Sequence, residues 1–186
     1  MKAKAILGII AMLCASFAGQ AQNGWQQKVT SELPLLGHRN WIVIVDSAYP
    51  LQSSPGVETI DTGADHLAVL DYVLDAIKKS EHVRPLVHTD KELEIVPEKD
   101  APGVTQYRQD LKARLSGFSA DTLPHQALID RLGETGKSFH ILVLKTRMTI
   151  PYTSVFLQLD CKYWSAESEA RLREAIKAAE PPGTKP

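Results

Sequence analysis

Leu35-Leu36-Gly37-His38-Arg39-Asn40-Trp41-Ile42-Val43-Ile44-Val45-Asp46-Ser47-Ala48-Tyr49-Pro50 is the stretch from which the fold is read. Its centre, Trp41 to Val45, is an unbroken apolar run, mostly β-branched, with a polar turn on each side. A strand with one wet face alternates apolar and polar residues, whereas a strand covered on both faces does not. The run therefore predicts a strand buried between two layers. Gly37 suits a helix C-cap, because glycine takes the left-handed conformation without steric cost. Asp46 falls where the strand stops, the edge at which α/β proteins place ligand chemistry.

Upstream, residues 1–21 differ from the rest. Lys2 and Lys4 precede an apolar run from Ala5 to Phe17, and small residues end it at Ala18-Gly19-Gln20-Ala21. A basic start, an apolar stretch too short to span a bilayer and a small-residue end predict a cleaved signal peptide and a periplasmic or secreted protein. Cys14 suggests a lipoprotein signal instead, but Leu13 before it is too large for that signal. Taking 21 residues from the 186 leaves about 165, which suits one domain with a sizeable core. Without Lys2 and Lys4, 19 basic residues face 22 acidic ones, a formal charge of −3. No basic block with interleaved aromatics points to nucleic acid, and no later apolar run is long enough for a membrane span. Only Cys161 remains after cleavage, so it has no intramolecular disulfide partner and reads as a buried structural thiol.

Downstream, Leu51 to Asp65 holds Ser53, Ser54, Pro55, Gly56 and Gly63 and reads as a loop. Asp65 can cap a helix from His66 to about Ser80, with Leu70, Val73, Leu74 and Ile77 on its apolar face and Lys78 and Lys79 in its last turn. Arg84 to Thr89 reads as a strand, and Lys91 to Val96 as its continuation or a second strand. Pro102-Gly103 opens a helix from Val104 to about Leu115. Pro124 starts another, carrying Ala127, Leu128, Ile129 and Leu132 and stopped by Gly133 and Gly136. Phe139–Leu144 and Val155–Leu159 are strands, Ser165 caps a closing helix to Ala179, and 181–186 is a frayed tail. Strands alternating with helices give an α/β class in three helix–sheet–helix layers. Three segments follow: signal peptide 1–21, main domain 22–164, and C-terminal helix with tail 165–186.

Neither a glycine-rich phosphate loop nor a nucleophile elbow is present, and His66, His82, His88, His125 and His140 show no zinc-type spacing. The spacing calls for no metal and no cofactor. His66 and His140 read as structural. Isolated polar residues at element ends remain: His38, Asp46, His125 and Tyr152. Singly, each is most simply a helix cap, a turn cap, a surface histidine or a buried aromatic with a wet hydroxyl.

In order, these pieces resemble the D-ribose pyranase and L-fucose mutarotase (RbsD/FucU-like) family. Leu36-Gly37-His38 is followed by Ile44-Val45-Asp46-Ser47-Ala48 with Pro50, Ile60-Asp61, Val69-Leu70 through Val73-Leu74, His125, and Lys145-Thr146 before Pro151-Tyr152-Thr153-Ser154. The resemblance spans roughly His38 to Tyr163. It implies an RbsD-like fold, no cofactor or metal, a free monosaccharide as ligand, and a homo-oligomer, a ring in the family. It makes His38 the catalytic acid/base and Asp46, His125 and Tyr152 sugar-binding, with Ser154 standing where the family has a sugar-contacting asparagine. Arg147-Met148 replace the family's Gly-Glu pair.

The implied chemistry suits these residue types. Opening a hemiacetal needs a proton delivered to the ring oxygen and one taken from the anomeric hydroxyl, and histidine can do either near neutral pH. A straight strand would hold His38 and Asp46 roughly 26 Å apart at about 3.3 Å per residue. Either the chain bends after His38, or one site takes residues from two subunits; we expect the second. The activity expected is a sugar mutarotase or pyranase. The alternatives are an exported carbohydrate-binding protein with the same pocket and no turnover, and a purely structural or partner-binding oligomer in which His38 and Asp46 serve as caps.

Overall fold

The computed structural model describes residues 24–179. The expected signal peptide and the tail beyond Ala179 lie outside them. Helical residues 24–32 form α1, which tightens into a 3₁₀ turn at Leu33–Leu35. Then come β1 (Trp41–Val45), β2 (Val57–Asp61), α2 (His66–Lys79), β3 (Val83–Asp90), α3 (Val104–Leu115), β4 (Ala120–Leu123), α4 (His125–Thr135), β5 (Ile141–Lys145), β6 (Val155–Cys161) and α5 (Ala166–Ala179). The strands make one six-stranded sheet in the order β2-β5-β1-β6-β3-β4. β1, β2 and β5 are mutually parallel, as are β3 and β4, while β6 runs against both β1 and β3. One strand of the sheet is therefore reversed.

Successive side chains of a strand point to opposite faces, and β1 has an apolar partner for each. Ile42 and Ile44, with Leu142, Leu144, Val155 and Leu157, pack under α1, α2 and α3 through Val29, Leu70, Val73, Ile77, Tyr107 and Leu111. Trp41, Val43 and Val45, with Ile141, Val143 and Phe156, pack under α4 through Leu128 and Leu132. The three-layer α/β reading holds, and this two-sided burial is why β1 lacks a polar position. Among the described residues, no helix is long and apolar enough to cross a membrane.

The helix signals were legible. Asp65 accepts from the Ala68 N–H at 3.0 Å, and Ser165 Oγ accepts from the Ser168 N–H at 3.1 Å. The sheet margins were not. β2 lies inside the stretch read as a loop, and β4 follows the first glycine after α3; both are edge strands with too few buried positions to leave an apolar signal. Lys91–Glu94 is a 3₁₀ helix and not a strand. Gly37 is not the left-handed residue of its turn: Arg39 is, at φ 76°, while the Gly37 N–H donates to Asn40 Oδ1 at 2.8 Å. Cys161 is half-buried rather than enclosed.

Gly56 meets a requirement of close approach. A Cβ there would stand 2.3 Å from the Phe139 carbonyl oxygen and 2.6 Å from that of Gly136. The Gly56 N–H donates to the Gly136 carbonyl at 2.9 Å, and Ile141 N–H donates to the Gly56 carbonyl at 2.8 Å. That contact fastens the start of β2 to the start of β5.

Candidate functional site

The reversed strand decides what meets at the sheet edge. The C-terminal ends of β1, β2, β3, β4 and β5 lie together there, and so does the N-terminal end of β6. Ile44 and Thr89 both pair with Val155. One step further along, Ser154 falls between Val45 and Asp90, and Val45 pairs with Lys145 on its other side. Lys145, Val45, Ser154 and Asp90 thus form a cross-strand row on the face that α4 covers.

His125, the first residue of α4, sits over this row. Its ring lies with Nδ1 3.0 Å from Asp90 Oδ1, and its backbone N–H donates to both Glu92 carboxylate oxygens at 2.9 and 3.1 Å. Tyr152 meets the imidazole edge-on, with ring centroids 5.5 Å apart. The Asp90 side chain has no exposed surface. Burial pushes its carboxyl up from 3.8 to about 6, against the pull of His125. Asp90 Oδ2 and Ser154 Oγ are buried without a partner among the described residues. Buried polar groups are normally hydrogen-bonded to protein or ordered water, so the two orphans beside a histidine–carboxylate pair call for a water or a polar ligand.

Asp46 has two roles. Its Oδ1 accepts from the Ala48 N–H at 2.8 Å, which is the turn-capping function expected of an Asp at a strand end. Its charge also reaches the buried Tyr49 phenol, which burial, then Asp90, then Asp46 push above its ordinary value. Lys145 Nζ donates to the Tyr49 carbonyl at 2.8 Å and holds that turn beside β5.

The segment leading to β6 is braced from behind. Tyr152 adopts φ 59°, a conformation that costs a residue bearing a Cβ roughly 1–2 kcal/mol. Beside it, Tyr107 donates its hydroxyl proton to the Thr153 carbonyl at 2.9 Å, and Thr153 Oγ1 donates to the Ile150 carbonyl at 2.9 Å. His66 Nδ1 lies 3.2 Å from the same Tyr107 oxygen. Burial lowers His66 to about 4, so it is neutral, and with the phenol proton committed to Thr153 the imidazole donates. A positive φ held in place by buried hydrogen bonds makes Tyr152 a candidate functional residue.

His38 is elsewhere. It precedes β1 at the opposite end of the sheet, where Arg39 N–H donates to the Leu159 carbonyl of β6 at 3.0 Å. Its Nδ1 lies 3.0 Å from Asp160 Oδ1, and Arg84 donates to Asp160 Oδ2 from Nε at 3.0 Å and Nη2 at 2.7 Å. Burial raises the Asp160 carboxyl, but Arg84, the Cys161 amide and His38 outweigh it and hold it below 3.8. Over half exposed, His38 lines a surface hollow of about 530 Å³ with Trp41, Arg131, Glu134 and Gln158. The structure thus gathers Asp46, His125, Tyr152 and Ser154 at one end and leaves His38 at the other. Asp90, Tyr49 and Lys145 at this edge, and Tyr107 behind it, were not singled out from the sequence. Asp90 carried a usable signal: like Asp46, it is an acid ending an apolar strand.

Fold and site edge together define a small α/β class with ligand groups at the carboxyl ends of its strands. Residues 25–161 match the model of the RbsD / FucU transport protein family, and the chain belongs to that family. Among solved structures it is similar to Bacillus subtilis RbsD complexed with D-ribose: TM-score 0.52, 18% identity, covering 74% of this chain and 92% of that one. It is also similar to the fucose mutarotase of Streptococcus pneumoniae in complex with L-fucose: TM-score 0.49, 19% identity, covering 70% and 89%. No curated protein matches the chain in sequence.

Proposed function

We propose that the protein is a cofactor-independent sugar isomerase, interconverting anomers or ring forms of a free monosaccharide outside the cytoplasm. The observation that carries this reading is the His125–Asp90 pair at 3.0 Å, set among the orphaned Ser154 Oγ and Asp90 Oδ2, in a chain of the RbsD / FucU family. The D-ribose bound to the Bacillus subtilis RbsD supports the substrate class.

The reaction needs little machinery. A base takes the anomeric hydroxyl proton, the C1 carbonyl forms as the bond from C1 to the ring oxygen breaks, and an acid protonates the departing oxygen. Reclosure on the other face, or through another hydroxyl, gives the product. His38 is the acid/base group, oriented through Nδ1 by Asp160 so that Nε2 is free. Asp46, His125, Tyr152 and Ser154 hold the hydroxyls, with Asp90 fixing the tautomer of His125. Since His38 stands at the far end of the sheet, it reaches this sugar from a neighbouring copy, and the complete site is shared within a homo-oligomer.

Saturation-transfer NMR of the mature protein with ribose, fucose, galactose, glucose and rhamnose tests the activity. Faster exchange for one sugar, lost in His38→Ala, is expected. Mixing inactive His38→Ala with inactive His125→Ala, under conditions that exchange subunits, tests the sharing: random assembly restores about a quarter of the sites. Mixtures without activity refute a shared site, and no exchange with any sugar refutes the enzyme. A second reading, sugar binding without turnover, draws on Ser154, whose short buried hydroxyl has no partner; binding by calorimetry without exchange is its signature.

A further inference from the structure

Away from the strand-end edge, three ligand-type side chains from separate elements converge on the outer flank of the sheet. Glu32 ends α1, Glu58 lies on β2, and His140 immediately precedes β5; one ligand atom of each lies within 4.8 Å of the others. We propose that Glu32, Glu58 and His140 form a binding site for a divalent transition metal of the zinc type, with water as the fourth ligand.

Distances support this before any charge is counted. His140 Nε2 stands 3.5 Å from Glu32 Oε2 and 3.8 Å from Glu58 Oε2. Both separations exceed the 2.7–3.2 Å or so of an N–H···O hydrogen bond, so a protonated imidazole is not bonded to either oxygen. Two ligands on one tetrahedral zinc, at about 2.0–2.2 Å from the metal, stand about 3.3–3.6 Å apart. The first separation is already such an edge, and the second needs a small contraction.

Satisfaction of the polar atoms points the same way. Glu32 Oε2 and His140 Nε2 have no exposed surface and no hydrogen-bond partner among the described residues. They face each other, and an ion between them satisfies both. Lys28 Nζ binds the other oxygens, Glu32 Oε1 at 2.6 Å and Glu58 Oε1 at 2.7 Å. It takes one oxygen of each carboxylate and leaves each Oε2 for His140's side of the cluster. Two carboxylates against one ammonium leave an excess negative charge when the imidazole is neutral, the form that ligates. The His140 backbone is fixed as well, since its carbonyl accepts from Asn40 Nδ2 at 3.1 Å and Trp41 N–H at 3.2 Å. One imidazole nitrogen and two carboxylate oxygens suit zinc better than calcium or magnesium, which prefer all-oxygen shells. Bound there, the metal ties α1 to the β2–β5 margin.

The test uses mature protein stripped with a chelator, then titrated with Zn²⁺ against a chromophoric competitor. One ion per chain is expected, with affinity falling at least about tenfold in His140→Gln and in Glu58→Gln and unchanged in Cys161→Ser. Glu58→Gln guards against misfolding, because that side chain is more than a third exposed. In crystals grown with zinc, an anomalous peak at the zinc edge should lie between Glu32, Glu58 and His140. Absence of stoichiometric binding, wild-type affinity in both ligand variants, or a peak only at another site each overturns the proposal.

Discussion

Replacing Asp90 by Asn should change how the fold responds to acid. Ionised Asp90 is disfavoured in the folded chain, its carboxyl standing at about 6 against an ordinary 3.8. The folded state therefore holds its proton more tightly than the unfolded state, and this group's contribution to stability declines as pH rises from 3.8 to 6. The decline amounts to about 2–3 kcal/mol between about pH 4 and pH 7. His66 has the opposite sign. Burial lowers it from 6.5 to about 4, so its contribution is complete above 6.5 and lost on the way down to 4, again by about 2–3 kcal/mol. In the wild type the two slopes nearly cancel across that window. Asn at position 90 keeps an acceptor for the His125 N–H but removes the charge. The variant should be the more stable chain near pH 7, by about 1–3 kcal/mol, with the advantage shrinking to a few tenths near pH 4. Urea unfolding at half-unit pH steps reads this directly, and carboxylates common to both chains, such as Glu98 held down to about 2, drop out of the difference. Parallel stability curves for the two chains would refute the assignment of Asp90 as a buried, reluctantly ionised carboxyl.

Gly56→Ala should cost about 2–4 kcal/mol, because its Cβ meets two carbonyl oxygens and the β2 margin has to move; thermal unfolding measures it, and a melting point within a degree of wild type contradicts the contact. Tyr107→Phe strands the Thr153 carbonyl and His66 Nδ1, so a loss of about 1–3 kcal/mol is expected, with a higher KM for the sugar as the Tyr152 segment loosens. Tyr152→Gly relieves the positive φ and should raise stability by up to about 1 kcal/mol while weakening sugar binding; unfolding curves and calorimetry on one sample separate the two effects.

What the sequence revealed follows from how strongly each element is buried. β1 was readable because every one of its side chains has an apolar partner in one layer or the other. α2 was readable because an N-cap acid, an apolar stripe and C-terminal lysines all agreed. β2 and β4 escaped because an edge strand pairs on one side only and exposes most of its side chains. As candidates, Asp46, His125 and Tyr152 were legible through their place in an ordered series of short motifs. Their grouping was not, because it depends on which strand runs backwards, and strand direction leaves no mark in residue spacing. The pairing of Asp90 with His125 and the Glu32–Glu58–His140 cluster lay beyond reach for the same reason, since both join groups far apart in the chain.

Because β6 is reversed, one seven-residue strand has Ser154 immediately before its head and Asp160 near its tail. The edge beneath His125 and the partner of His38 are two marks on the same rod. A one-residue deletion in β6 would shift one mark against the other and turn the side chains beyond it to the opposite face. A change in the length of a surface loop leaves both marks where they are, whereas the length of β6 sets the distance between them.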